Sequence, residues 1–307
     1  MKQDPVFGVV NDIQRMCTCD GPGFRTVVFL KGCYLDCQWC HNPEGKRRYP
    51  EVIPFVGNCE RCGECLSVCP TSAITVDGVL GPRIDRSRCS TCLQCVRVCQ
   101  YDALVLWGRV MLAEQVAAEV AQDKMLYVNS GGGVTISGGE PMAQPDFVLA
   151  IMEACKERGI STALDTCGHA PWEDLERVLP YTDLVMFDLK QMDTRKHREY
   201  SGVGNELILE NAKRIAGLGL PIRFRIPIIP GSNDSKSNWE SAARFIECLG
   251  DAVLGVDLLP YHPFAGGKYR AFGMDYPYPA GEGLVDDDLA PVIDLFLEHV
   301  PAVTVGG

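Results

Sequence analysis

No stretch of this 307-residue chain approaches the ~18 consecutive apolar, uncharged residues that a membrane-spanning helix requires. The opening Met1-Lys2-Gln3-Asp4-Pro5-Val6-Phe7-Gly8 has no apolar h-region, so no signal peptide is expected. Positive charge is in short supply: 29 Lys and Arg stand against 40 Asp and Glu, a net charge of −11. That balance argues against a broad nucleic-acid footprint. The triplet Gly131-Gly132-Gly133 is not followed by G-K-S/T, so it is not a phosphate loop.

What the chain has in excess is cysteine. Eleven of its 16 cysteines fall in C-x2-C or C-x3-C steps, a spacing that fits metal ligation better than disulfides in a chain of this length. Such usage predicts a soluble protein of a reducing cytoplasm, and oxygen-sensitive centres predict an anaerobic setting. Cys33, Cys37 and Cys40 stand at C-x3-C-x2-C, directly after the apolar run Val27–Leu30. Three thiolates from one short loop can hold three irons of a 4Fe-4S cube and leave the fourth open to a small molecule. A zinc site completed by His41 is the alternative that these residues alone leave standing. Cys17 and Cys19 read as bystanders. Cys155 and Cys248 read as small apolar core residues.

Residues 53–106 contain an internal repeat. Cys59-x2-Cys62-x2-Cys65-x3-Cys69-Pro70 recurs thirty residues on as Cys89-x2-Cys92-x2-Cys95-x3-Cys99, with Gln100 where the first run has Pro70. This is the bacterial two-cluster ferredoxin spacing, in which the fourth cysteine of each run ligates the other cluster. Cys59, Cys62, Cys65 and Cys99 are therefore assigned to one cube. Cys69, Cys89, Cys92 and Cys95 are assigned to the other. The reading divides the chain into a module of residues 53–106 inserted between 1–52 and 107–307.

Outside the insertion, apolar runs alternate with helical periodicity. Strands are expected at Val27–Leu30, Val134–Ser137, Ser161–Asp165, Leu184–Asp188, Ile222–Ile229 and Val253–Tyr261. Helices are expected over 112–123, 144–158, 171–179, 205–218, 236–249 and 287–299. Strands separated by helices imply an α/β fold with a parallel sheet. Chemistry-bearing residues cluster at the strand ends, where β/α barrels place their sites. The segment 44–52 reads as a solvated exit loop, and 272–279 as a surface loop suited to a partner contact.

With these residues in view, the chain resembles the radical S-adenosylmethionine (SAM) enzymes, and within them the glycyl-radical-enzyme activating enzymes. The Asp20-Gly21-Pro22-Gly23-Phe24-Arg25-Thr26 lead, the three-cysteine loop, the Asp188-Leu189-Lys190 motif and the Leu258-Leu259-Pro260-Tyr261-His262 end carry the likeness over nearly the whole chain. The resemblance implies a partial (β/α)6 TIM-like barrel carrying the inserted two-cluster ferredoxin domain. It implies three 4Fe-4S clusters, with SAM on the open iron of the Cys33–Cys37–Cys40 cube. SAM contacts would come from Trp39, Cys40, His41, Gly138, Gly139, Glu140, Asp188, Leu189, Lys190, Arg225 and His262. Asp165, Thr166, Met186 and Asp188 would surround a monovalent cation; for Asp165 and Asp188 the bland alternative is helix capping. The implied activity is one-electron cleavage of SAM to a 5′-deoxyadenosyl radical that removes a hydrogen from a backbone glycine of a large partner. Flavodoxin or ferredoxin would donate the electron, and the inserted clusters would relay it, tune it or dock the donor. The overall look leans towards isethionate sulfite-lyase as partner; choline trimethylamine-lyase, glycerol dehydratase and aryl decarboxylases stay open. A radical SAM enzyme acting on a small molecule and a ferredoxin-type electron carrier are the rival readings.

Overall fold

The computed structural model describes residues 4–78, 81–272, 274–278 and 282–306. Its centre is a nine-stranded sheet. In chain order the strands of the whole molecule are β1 (Phe7–Cys17), β2 (Arg25–Leu30), β3 (Glu51–Pro54), β4 (Ile74–Asp77), β5 (Gly81–Ile84), β6 (Leu104–Trp107), β7 (Arg109–Leu112), β8 (Gly133–Gly138), β9 (Ser161–Thr166), β10 (Leu184–Asp188), β11 (Ile222–Ile228), β12 (Val253–Pro260) and β13 (Val303–Val305). The helices are α1 (Glu64–Ser67), α2 (Gln94–Val98), α3 (Ala113–Val120), α4 (Lys124–Ser130), α5 (Pro145–Glu157), α6 (Trp172–Val178), α7 (Thr194–Ser201), α8 (Glu206–Gly217), α9 (Lys236–Glu247), α10 (Ala265–Ala271) and α11 (Ala290–Leu297).

The central sheet runs β13-β12-β11-β10-β9-β8-β2-β1-β7. From β2 to β13 every neighbour is parallel, while β1 pairs antiparallel with β2 and β7. The parallel strands β2 and β8 to β12, with intervening helices and the short β13 added at one edge, form the partial (β/α)6 barrel, open between β7 and β13. The strands read as alternating, as a sheet with two different faces demands. On β11, Ile222, Phe224, Ile226 and Ile228 are buried against the helices, while Arg223 and Arg225 point the other way, into the barrel. On β10, Val185 and Phe187 join the helix-facing core, while Leu184 and Met186 pack with Ala163 on the barrel side. The barrel interior is thus small and polar at its upper rim, where the functional side chains lie.

The inserted module has its own small sheets, β3–β6 and β4–β5, both antiparallel. Pairing of Glu51 with Trp107 and of Pro54 with Leu104 closes its stalk. The two short helices α1 and α2 each start just before the third cysteine of a run, in repeat register.

Several local expectations change. The first 26 residues are more than a turn-rich lead: β1 is eleven residues long, kinked by register shifts at Val10/Asp12 and Gln14/Cys17. The segment 44–52 is not a solvated loop, since Glu44, Glu51 and Val52 are all at most 5 % exposed. The Glu51 carboxylate is drawn inwards by buried Lys31, and Glu44 pairs with Lys268. In the 272–279 segment, Phe272 and Tyr278 are buried, and the Tyr278 hydroxyl donates to Pro230 O. This segment therefore packs over the barrel instead of standing free; Gly273 and Pro279 lie outside the described residues. Cys155 is fully buried as expected, and Cys248 is exposed at the end of α9.

Candidate active site

The three leading cysteines hang from β2 on a loop that the backbone fixes at three places. Gly32 N and Cys33 N donate to Gly45 O and Lys46 O at 2.7 and 3.0 Å. Asp36 N and Gln38 N donate to Ser201 O and Tyr200 O at the end of α7, at 2.8 and 2.9 Å. Gly139 N and Glu140 N donate to Leu30 O and Gly32 O, at 3.0 and 2.7 Å. That last pairing explains the paired glycines. A Cβ on Gly139 would sit 2.3 Å from Gly32 O, and Gly138 holds φ +128° against Leu30.

These elements enclose one open cavity of about 430 Å³. Cys33, Cys37, Cys40, Trp39, His41, Gly138, Gly139, Asp188, Lys190 and His262 all line it. The neighbouring side chains Leu35, Ile229 and Tyr261 make its walls apolar. Burial pushes the Cys33 and Cys37 thiols up to about 12 and raises Cys40 as well. Thiols in such surroundings ionise when a metal supplies the compensating charge. His41 stacks on His262 with ring centroids 4.1 Å apart. Burial lowers its pKa to about 4, so it stands there as a neutral imidazole.

Three other expected residues work from behind the wall. Glu140 is fully buried, with its carboxylate accepting from Met142 N at 3.0 Å, Thr166 Oγ1 at 2.8 Å and Cys167 N at 2.8 Å. It ties the Gly138–Gly139 turn to the end of β9. Leu189 is buried in the helix-facing core. Arg225 donates to Asp165 at 3.1 Å and lies 3.9 Å from Asp20.

Asp165 and Asp188 do not cap helices; α6 and α7 are preceded by Pro171 and Asp193. Asp165 accepts from Ser137 Oγ at 2.6 Å and from Arg225, and Asp188 accepts from Lys190 at 2.5 Å. Burial raises the Asp165 pKa against the pull of Arg225. Burial works against the Lys190 charge, but Asp188 and the nearby thiols raise its pKa on balance. Met186 shares a rung with Asp165. The Thr166 hydroxyl is turned to Glu140, away from the two aspartates.

In the module, the cysteines gather in the crossed pattern. Cys59, Cys62, Cys65 and Cys99 ring one small cavity, and Cys69, Cys89, Cys92 and Cys95 ring another. Ala73 N and Ala103 N donate to Cys69 Sγ and Cys99 Sγ, both at 3.3 Å, as the repeat requires. Among the described residues no three His, Cys, Asp or Glu side chains close onto one point, as a single zinc ion would need. Each set of four thiols surrounds a small cavity.

Sequence reasoning missed three features. Cys167 lines the main cavity beside Cys33, and only its place at the end of β9 hints at it. Tyr200 and Ser201, which pin the cysteine loop, belong to the polar helix α7, which carries no apolar stripe to announce it. Lys31, fully buried, reaches Glu51 at 3.3 Å, and Glu51 also faces Arg47 and Arg86 at 3.6 and 3.4 Å. This ion cluster joins the cysteine loop to the base of the module.

Comparison with known proteins settles the family. A radical SAM superfamily model matches residues 90–245, and a 4Fe-4S dicluster domain model matches 58–103. The isethionate sulfite-lyase activating enzyme of Nitratidesulfovibrio vulgaris strain Hildenborough is 40 % identical over 285 residues, 91 % of each chain. The chain is a radical SAM enzyme of the glycyl-radical-enzyme activating family. The (2S)-3-sulfopropanediol dehydratase activating enzyme of Klebsiella oxytoca is 41 % identical to this activating enzyme over 282 residues, 90 % of this chain and 88 % of that one. The crystal structure of a radical SAM methyltransferase from Sphaerobacter thermophilus shares the fold at TM-score 0.52 and 14 % identity, covering 98 % of this chain and 76 % of that one. Among the described residues no helix of the activating enzyme is long and apolar enough to cross a membrane.

Proposed function

We propose that this activating enzyme installs the glycyl radical of isethionate sulfite-lyase, using three 4Fe-4S clusters, SAM and a monovalent cation. The observation that carries the site is the meeting of Cys33, Cys37 and Cys40 with Gly138, Gly139 and Lys190 around one open cavity. A reduced cube with SAM on its open iron supplies one-electron cleavage of the sulfonium and a 5′-deoxyadenosyl radical that takes a hydrogen from the partner's glycine.

In this reading the barrel of residues 1–52 and 107–307 holds the reactive centre, and residues 53–106 form the two-cluster module. The Gly138–Gly139 backbone receives the SAM amino group, and Glu140 fixes that turn from beneath. Lys190 balances the SAM carboxylate beside Asp188. Trp39, His41 and His262 line the remaining wall, and Leu189 and Arg225 support it. His41 Nε2, on a residue that lines the cavity, is buried with no hydrogen-bond partner among the described residues and fits a polar ligand. Asp20, Asp165 and Asp188 outnumber Arg225 and Lys190, so one uncompensated negative charge favours a monovalent cation near Asp165, Thr166, Met186 and Asp188. Phe264, 77 % exposed beside His262, offers an apolar contact to a polypeptide at the cavity mouth. The electron comes from outside, from a flavodoxin or ferredoxin.

The name of the N. vulgaris relative supports the choice of partner. Anaerobic reconstitution is expected to give about twelve irons per chain, four for each of three cubes. About eight would remove the cube from Cys33, Cys37 and Cys40. Mixing the reduced protein and SAM with isethionate sulfite-lyase and, separately, with a sulfopropanediol dehydratase tests the partner. A glycyl radical only in the second would replace the first.

A further inference from the structure

We infer that the arginine-rich face over the Cys69–Cys89–Cys92–Cys95 ring is the docking surface for a small acidic one-electron carrier protein. The inference rests on the reading of an external electron donor and places where that donor binds.

The thirty-residue repeat supplies its own control. Around the ring of Cys59, Cys62, Cys65 and Cys99 stand Glu60, Arg61 and Glu64, with Asp102 between the lining residues Tyr101 and Ala103. In repeat register Glu60 and Glu64 become Ser90 and Gln94, while Asn58 and Ser67 become Arg88 and Arg97. The sequence around the second run therefore carries Arg83, Arg86, Arg88 and Arg97, with Asp85 the one acidic residue from 83 to 97. Arg88 donates to Thr71 O on the wall of the second ring, while Arg86 turns inward to Glu51. Arg83, Arg88 and Arg97 are exposed. Two halves of one duplicated fold thus carry opposite charge on a chain whose net charge is −11.

The basic side also has a shape. An open cleft of about 460 Å³ is lined by Arg47, Arg83, Arg86 and Asp85 with Phe272 and Met274 from the barrel, Arg47 and Arg86 also facing Glu51. It shares Ile84 with the cavity of the second ring, and Cys92 on that ring is exposed. The ring also lies on the route to the reactive centre. Val52 lines it, the adjacent Glu51 pairs with buried Lys31, and Lys31 is two residues from Cys33.

An acidic carrier approaching this molecule is repelled over most of the surface and attracted at this face. Such focusing raises association rates by about 10- to 1,000-fold and orients the encounter, an effect that salt removes. In the transfer the carrier loses one electron and the cube at the second ring gains it; no bond forms or breaks.

The test measures bleaching of the reconstituted holoenzyme by reduced flavodoxin in a stopped-flow instrument, with photoreduced deazaflavin as a small-molecule comparison. The expected wild-type rate falls steeply as ionic strength rises. The double substitution Arg83→Glu with Arg88→Glu is expected to slow flavodoxin reduction at least tenfold at low salt and to leave deazaflavin reduction unchanged. Glu60→Lys with Glu64→Lys is expected not to slow it. Equal rates in wild type and the arginine variant would overturn the docking surface while leaving the external donor intact, as would slowing confined to the glutamate variant. If flavodoxin and ferredoxin both fail to reduce the wild type while deazaflavin succeeds, the external-donor reading falls and takes this surface with it.

Discussion

At the scale of single residues, the most consequential side chain outside the cavity is Glu51. Its carboxylate is 2 % exposed and faces three cations, one of which, Lys31, is fully buried. Burial lowers the Lys31 pKa, and Glu51 is the charge that opposes this. Removing one partner of a buried ion pair strands the other, at about 3–5 kcal/mol. Glu51→Ala is expected to lower the unfolding free energy by about that amount, measured by denaturant titration. A change below ~0.5 kcal/mol would mean the cluster is solvated. A second residue sets an acid limit. Arg15 donates to the buried carboxylate of Asp123 and holds its pKa below the usual range. A depressed carboxylate adds stability that is complete above the ordinary aspartate value of about 3.9 and disappears as pH falls through it towards the native value. Asp123→Asn should therefore flatten the acid limb of stability between about pH 5 and pH 2 and leave its slope at neutral pH unchanged. Both residues escaped sequence reading for one reason. An isolated Glu or Asp announces no partner, and these partners lie 20 and 108 positions away.

At the scale of elements, the site depends on the turn that follows β8 and the loop that follows β2. Gly139→Ala would drive a methyl into Gly32 O and Gly45 O, both backbone atoms that cannot swing aside. The expected outcome is weakened SAM binding by equilibrium dialysis, with the two module clusters retained by iron count. Undiminished binding would show that the turn is free to move. Cys37→Ala should leave about eight irons and abolish SAM cleavage. About twelve irons in that variant would contradict the ligand assignment. The elements that were legible in the sequence are those whose pattern is uniform. The strands β8 to β12 carry apolar residues on a helix-facing side, as Ile222, Phe224, Ile226 and Ile228 do on β11, which marks them in the sequence. The cysteine runs carried their own spacing, and the crossed grouping around two cavities follows it. What was not legible is mixed or marginal. β1 contains Asn11, Asp12, Gln14 and Arg15 and bends twice, so no two-residue alternation survives along it. β7 and β13 are edge strands of four and three residues. The burial of 44–52 depends on cations contributed from elsewhere in the chain, which no local composition reveals.

At the scale of the whole molecule, the partial barrel and the inserted module each carry cysteine sets of their own. The barrel presents a cavity of about 430 Å³ lined by His262, with exposed Phe264 beside that histidine. The module holds two cysteine rings and is joined to the barrel's cysteine loop by the pairing of Glu51 with Lys31. The relatives that the chain matches over nine-tenths of its length are activating enzymes, which sets the small-molecule reading aside. A simple electron carrier would not need the barrel. The measurement that tests the account most directly is electron paramagnetic resonance on isethionate sulfite-lyase after anaerobic incubation with the reduced protein and SAM. The account predicts a glycyl radical signal on the lyase polypeptide, absent when Cys37→Ala protein replaces the wild type. SAM turned over to 5′-deoxyadenosine with no radical on the lyase, or on any other glycyl radical enzyme offered, would contradict it.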